Sequence, residues 1–283
     1  MSFFDLAVAD ESGLASDPEL PYNLRGVDFL RAIQDIHQLL HESNVLLNSR
    51  GLPPLEDLHD PAGFSGLLSR IAAERLSRQS RQLTPNKYHN GFPDLIPVRT
   101  YPDDKVKAGD KGLEIKTSRY DAGWQGHSVR EGWFCVLQFG LDDPLKTFAT
   151  RAPTQILAVM ATRIGKTDWN VHRAGDDKDR SGTTQMKPVV TLGMRRNAIW
   201  VNPQYRSRHE HLLRRLEYEA VAAPARKIYV LKATDLAARL DVTRAQLKSR
   251  LSDLEDSEGL YFDFGLGKTK SRRYSQKALE ALR

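Results

Sequence analysis

Between Gly112 and Thr117 the chain alternates apolar and charged side chains, Leu113-Glu114-Ile115-Lys116. Successive residues of a strand face opposite ways, so this pattern predicts a strand whose Leu113 and Ile115 enter a core while Glu114 and Lys116 stand together on the other face. A carboxylate and an ammonium thus become neighbours. Upstream, Gly91-Phe92-Pro93-Asp94-Leu95-Ile96-Pro97-Val98 forms a second apolar run, and the Gly/Asp/Lys-rich stretch between the two reads as a turn. With Asp94 at a bend beside the Glu114 strand, two carboxylates would converge as hard oxygen ligands of the kind Mg²⁺ prefers.

The residues around this pair predict its scaffold. An irregular lead-in of about twenty residues precedes Val27, Leu30, Ile33, Ile36, Leu39 and Leu40, whose three- and four-residue spacing predicts a helix stopped by Gly51 and Pro53-Pro54. A second helix starts at Asp60-Pro61, where Asp can cap and Pro suits the first turn, and would bury Phe64, Leu67, Leu68, Ile71 and Leu76. Downstream, residues 133–139, 155–160, 188–192 and 198–201 each read as a strand. Helices followed by such a series predict an α/β fold with a mixed central sheet flanked by helices. The glycine-flanked loop Gly123-Trp124-Gln125-Gly126-His127-Ser128 would leave the carboxyl end of the Glu114 strand, which offers Gln125 and His127 to a phosphate or base. Residues 168–187 read as a polar loop or insertion, with Arg173, Lys178 and Arg180 as candidates for a DNA-contacting arm. Gly165-Lys166-Thr167 is not the end of a phosphate-binding loop, because that motif needs a glycine at position 160, which is Met160.

The C-terminal part changes character. Residues 233–251 read as helix, tight turn, helix: Leu236 and Leu240 are buried by the first, Val242 fills the turn, and Thr243 caps a second helix with Leu247, Leu251 and Leu254 on its apolar face. Arg244, Gln246, Lys248 and Arg250 lie on or near the exposed side. Two apolar runs then flank Gly265-Leu266-Gly267-Lys268-Thr269-Lys270, the pattern of a β-hairpin with a basic tip, followed by Arg272 and Arg273. From Arg226 onward there are 13 basic and 8 acidic side chains, which carries most of the chain's net charge of +6. This region resembles a winged-helix DNA-binding domain. The resemblance implies that Arg244, Gln246 and Lys248 meet base edges while Lys268, Lys270 and Arg272 neutralise phosphates. Docking against protein is the competing use of such a domain.

At 283 residues the chain suits a catalytic core plus a small second domain, divided here as 1–205 and 206–283, and its excess of positive charge suits a polyanionic partner. The single cysteine, Cys135, excludes an intramolecular disulfide, and no Cys/His cluster has zinc spacing. The N-terminus lacks the basic-then-apolar order of a signal peptide, and no apolar run approaches the roughly 18 residues of a membrane span. A soluble cytoplasmic protein without membrane contact is therefore expected. No internal repeat or low-complexity tract is visible.

Pro93-Asp94 followed by Glu114-Ile115-Lys116 resembles the motif of the PD-(D/E)xK nuclease superfamily, the restriction-endonuclease-like enzymes. The likeness covers about thirty residues directly. It implies that Asp94 and Glu114 hold Mg²⁺, that the Ile115 carbonyl adds a ligand, and that Lys116 assists the attacking water. Many members also carry an acidic residue on a helix before Pro-Asp. Glu74, at the border of the second helix's apolar stripe, takes that place as a group orienting water or a second metal; a solvated glutamate beside Arg75 and Arg78 is the other reading. The expected function is a Mg²⁺-dependent endonuclease of double-stranded DNA, first of all a restriction enzyme. Dependence on base modification stays open, as does a homodimer. A structure-specific repair or recombination nuclease competes with this reading, and so does a winged-helix regulator whose nuclease-like core is inactive.

Overall fold

The computed structural model describes residues 5–126, 128–147, 150–172, 183–252, 259–266 and 270–282. The chain divides into two compact units, Met1–Leu213 and Arg214–Arg283. The boundary falls within a long helix, Arg206–Ile228, rather than at its start.

The first unit opens with α1 (Gly26–Ser49), the short α2 (Leu55–Leu58) and α3 (Pro61–Gln79). Asp60 caps α3: its Oδ1 accepts from the Ala62 and Gly63 N–H groups, each at 2.9 Å, and Pro61 occupies a first-turn position that needs no donor. Strands β1 (Leu83–Pro85), β2 (Leu95–Pro97), β3 (Leu113–Ser118), β4 (Gln125–Gly126), β5 (Gly132–Gly140), β6 (Gln155–Ile164), β7 (Trp169–His172) and β8 (Thr183–Met186) follow, then α4 (Pro188–Arg196), β9 (Ala198–Val201) and α5 (Arg206–Ile228). The central sheet is mixed, in the order β1-β2-β3-β5-β6-β9; β3 and β5 run parallel and the other neighbours antiparallel. A parallel pair needs a long crossover, and residues 119–131 provide it.

The pleat sorts the two faces. Leu113, Ile115, Cys135, Leu137, Val159 and Ala161 share one core with Phe29, Ile33 and Ile36 of α1 and Phe64, Leu68 and Leu76 of α3. Phe134, Val136, Ala158 and Met160 point the other way, into a second core with Trp169, Met194 and Leu212. Because Glu114 and Lys116 pair in register with Phe134 and Val136, they stand on this second face. The alternation read at positions 113–116 is thus the alternation of the two cores.

Two expectations are corrected. Residues 188–192 lie in α4, not in a strand. Pro188 fixes a helical first turn, and the buried positions Thr191, Leu192, Met194 and Arg195 follow helical spacing, with Val189 left exposed. The stretch 168–187 is not loop throughout, since β7 and β8 pair with each other and β4 joins them in a three-stranded sheet. Arg173, Lys178 and Arg180 lie outside the described residues. No helix among the described residues is long and apolar enough to cross a membrane.

The second unit holds α6 (Ala233–Leu240), α7 (Arg244–Ser252), β10 (Tyr261–Phe264), β11 (Ser271–Tyr274) and α8 (Gln276–Ala281). Leu231, Leu236, Leu247, Leu260, Tyr274, Leu279 and Leu282 form its core, with Leu240, Val242 and Leu251 packed on the edge. Asp241, at φ 53°, makes the turn between α6 and α7. β10 and β11 form an antiparallel hairpin, and Leu231 bridges to Tyr274 through a reciprocal pair of main-chain hydrogen bonds of 3.1 and 2.8 Å. Leu254 lies outside the described residues.

Candidate active site and nucleic-acid interface

Asp94 immediately precedes β2, whose Leu95 pairs with Leu113 at the start of β3. That approach depends on Gly112, which sits at φ +136°: a Cβ there would collide with the Leu95 carbonyl oxygen and the Pro93 ring. Its N–H donates to the Tyr22 hydroxyl at 2.6 Å, which fixes the turn from the α1 side. The result brings Asp94 Oδ2 to 2.8 Å from the Ile115 N–H, which it accepts. In a strand, a residue's N–H and C=O leave by the same edge, so the Ile115 carbonyl also faces the Asp94 side.

Glu114 is 7% exposed, and its Oε1 lies 2.7 Å from Lys116 Nζ. Its Oε2 is buried with no hydrogen-bond donor. A buried carboxylate oxygen without a partner is costly and rare, so the position suits a cation. Asp94 is part-buried beside it. Burial, and then the negative charge of Glu114, push its pKa up to about 7, against the opposing Ile115 N–H and the Lys116 charge. Two carboxylates and a main-chain carbonyl, all hard oxygens on one side of β3, fit a divalent cation such as Mg²⁺. Among the described residues no third His, Cys, Asp or Glu joins them.

These groups border a cleft of about 1570 Å³ that takes in α3, the segment before β2, β3 and the crossover after it. Among the described residues, six lysines and arginines line it. Lys116 pairs with Glu114, Lys87 with Asp104, Arg208 with Asp121, and Arg151 with Asp57. Arg70 and Arg119 are exposed, and among the described residues neither has a carboxylate partner. Glu74 also lines the cleft, but its side chain is 50% exposed and bonded to Arg78 at 2.9 Å, one turn on along α3. The structure therefore brings together Asp94, Glu114, Ile115 and Lys116, with Glu74 lining the same cleft in a pair with Arg78. Gln125 is exposed at the cleft, in β4. His127 lies outside the described residues.

One feature at the cleft wall escaped the sequence reading. Arg195 of α4 is almost fully buried and donates to the Asp121 main-chain oxygen and to Gln138 Oε1, the latter at 2.9 Å. Gln138 Nε2 in turn donates to Asp121 Oδ1 at 2.8 Å, and the Tyr205 hydroxyl and Arg208 donate to the same carboxylate at 3.2 Å each. Burial works against the ionised form of Asp121, yet these bonds outweigh it and hold its pKa below the usual carboxylate range. The network staples the crossover to β5, α4 and α5. Its signal in the sequence was Gln138, an amide inside the apolar run of β5.

In the second unit, Arg244, Lys248 and Lys270 are exposed. Gln246 is exposed, but its side-chain oxygen is engaged in a cap. Its Oε1 accepts from the Thr243 N–H at 2.9 Å while Thr243 Oγ1 accepts from the Gln246 N–H at 3.3 Å, a reciprocal cap at the start of α7. Arg272 is also engaged: it bonds Asp263 at 2.8 and 3.0 Å across the hairpin and lies 3.8 Å from the Tyr261 ring centroid. Arg250, at the far end of α7, donates to the Leu282 carbonyl at 3.2 Å. Lys268 lies outside the described residues.

Comparison with protein-family models, curated proteins and solved structures found no match for this chain.

Proposed function

We propose that the chain is a Mg²⁺-dependent DNA endonuclease of the restriction type, with a restriction-endonuclease-like first unit and a winged-helix second unit. The observation that carries the reading is the buried Asp94–Glu114 pair, with an unpartnered Glu114 oxygen and Lys116 2.7 Å from its other oxygen, at the edge of a large cleft. Charge and burial of this kind cost stability and are retained where chemistry uses them.

In this reading Asp94, Glu114 and the Ile115 carbonyl would hold the ion, whose chemistry when bound would be to activate water near neutral pH and to offset the charge of the phosphodiester. Lys116, 2.7 Å from Glu114, orients the attacking water and offsets charge developing on phosphate oxygens. Arg70 and Arg119 draw the nucleic-acid backbone into the cleft. Arg244, Lys248 and Lys270 of the second unit add duplex contacts outside the chemical site.

The test is incubation of the full chain with modified and unmodified plasmid DNA in Mg²⁺, with and without EDTA. Discrete fragments that vanish with EDTA, and in Asp94→Ala, Glu114→Ala and Lys116→Ala, support the proposal. Cleavage confined to branched or damaged DNA would make it a repair nuclease. Binding without cleavage under any divalent cation would make it a regulator.

A further inference from the structure

The aromatic side chains of the first unit mostly fill its two cores, yet the cleft exposes two tyrosines: Tyr120, 64% exposed, and Tyr88, 41% exposed. Tyr120 lies two residues beyond the end of β3 and four residues after Lys116. Its backbone is held at both ends, for its N–H donates to Ser118 Oγ at 3.0 Å and its carbonyl accepts from the Trp124 indole at 3.1 Å. The next residue is Asp121, anchored by Gln138, Tyr205, Arg195 and Arg208. Trp124 is itself buried and its carbonyl accepts from the Met186 N–H at 2.9 Å. An exposed ring on so firmly stapled a backbone is a prepared surface rather than a loop tip.

Cations flank the ring. The Arg119 guanidinium lies 5.6 Å from the Tyr120 centroid, and Arg70 lines the same cleft from α3, where its neighbour Ser69 is 3.2 Å from Thr117 of β3. Exposed aromatic rings beside arginines that no described carboxylate pairs with are the composition that binds unpaired nucleotides: the ring takes a base face, which a paired and stacked duplex does not offer, while the arginines take the backbone. A duplex groove alone would call for the cations without the ring.

We infer that Tyr120, with Arg119 and Arg70, forms a stacking site for an unpaired base next to the Asp94–Glu114 pair. Its place in the cleavage cycle rests on the nuclease reading, but its binding chemistry does not. The occupant is a base in a single strand or one extruded from a duplex, and Tyr88 supplies a second ring on the opposite side of the sequence motif.

The experiment measures binding of the full chain, in EDTA, to three fluorescent oligodeoxynucleotides carrying 2-aminopurine at one position: a single strand, a fully paired duplex, and the same duplex with that base bulged. Stacking on Tyr120 quenches 2-aminopurine in the single strand and the bulge. Tyr120→Ala is expected to weaken both by about 5- to 100-fold and to abolish the quenching, with Tyr120→Phe close to wild type and the paired duplex changed by less than about twofold. Weakening of the bulge by Tyr120→Ala without effect on the single strand would assign the site to extruded bases, and the reverse to free strands; either supports the stacking site. Equal loss on all three probes, no loss on any, or no binding of single strand and bulge by the wild type would overturn it. Loss confined to unpaired probes in a chain that cuts no DNA in Mg²⁺ would keep the stacking site and remove the nuclease reading.

Discussion

Asp94→Asn should stabilise the metal-free protein while abolishing cleavage. The exchange keeps an oxygen to accept the Ile115 N–H, 2.8 Å from Asp94 Oδ2, and removes the charge that burial and Glu114 both oppose. In the fold the Asp94 pKa rises from 3.8 to about 7, and each unit of pKa is worth about 1.4 kcal/mol, which sets a ceiling of about 4 kcal/mol. Asp94 borders a water-filled cleft and Lys116 offsets part of the repulsion, so a gain of about 1–3 kcal/mol is expected. The sign follows from proton binding. Between the unfolded and folded pKa values the native state holds the proton that the unfolded state has lost, so wild-type stability falls as pH rises from about 4 to about 7 and levels off above. The variant lacks this decline. Urea denaturation in EDTA across that range should therefore show the two proteins nearly equal near pH 4 and the variant ahead above about pH 7. A variant no more stable than wild type at the upper end, or an advantage that does not grow with pH, would refute the account of a strained carboxylate pair.

Other outcomes follow from the same structure. Gly112→Ala should cost about 1–3 kcal/mol, because the positive φ and the Leu95 carbonyl leave no room for a methyl group; an unchanged melting temperature would contradict this. Glu74→Gln should leave the cleavage rate within about twofold, since its carboxylate serves Arg78, whereas a loss of about tenfold would return it to the mechanism. Thr243→Ala should destabilise the second unit by about 1 kcal/mol, and Gln246→Ala should do likewise, so calorimetry rather than sequence preference should register both. Lys270→Ala should reduce the salt slope of duplex binding by about one phosphate contact, while Arg272→Ala should lower hairpin stability and leave that slope nearly unchanged, its charge being met by Asp263; equal slope changes would overturn the distinction.

The sequence by itself determined the parts of this protein that depend on local rules. Alternation placed Leu113 and Ile115 in one core and Glu114 and Lys116 on the opposite face, since a two-residue period is a property of any strand. Apolar spacing and a capping Asp60 set α1 and α3, and Thr243 marked the start of α7 for the same reason. Local rules also erred where neighbours outweighed them: a β-branched run reads as a strand until Pro188 and the buried face of α4 are weighed together. Tertiary structure alone decided which polar groups are free. The Gln246 side-chain oxygen takes part in a cap, Arg272 meets a cross-strand carboxylate, and Glu74 at the cleft meets Arg78, partners that no local pattern announced. Arg195, Gln138 and Asp121 lie apart along the chain, so local pattern marks only Gln138, an amide inside an apolar strand, and not the partners it holds. Hydrogen-bond partners are chosen by distance in space, and periodicity reports only the face on which a side chain begins.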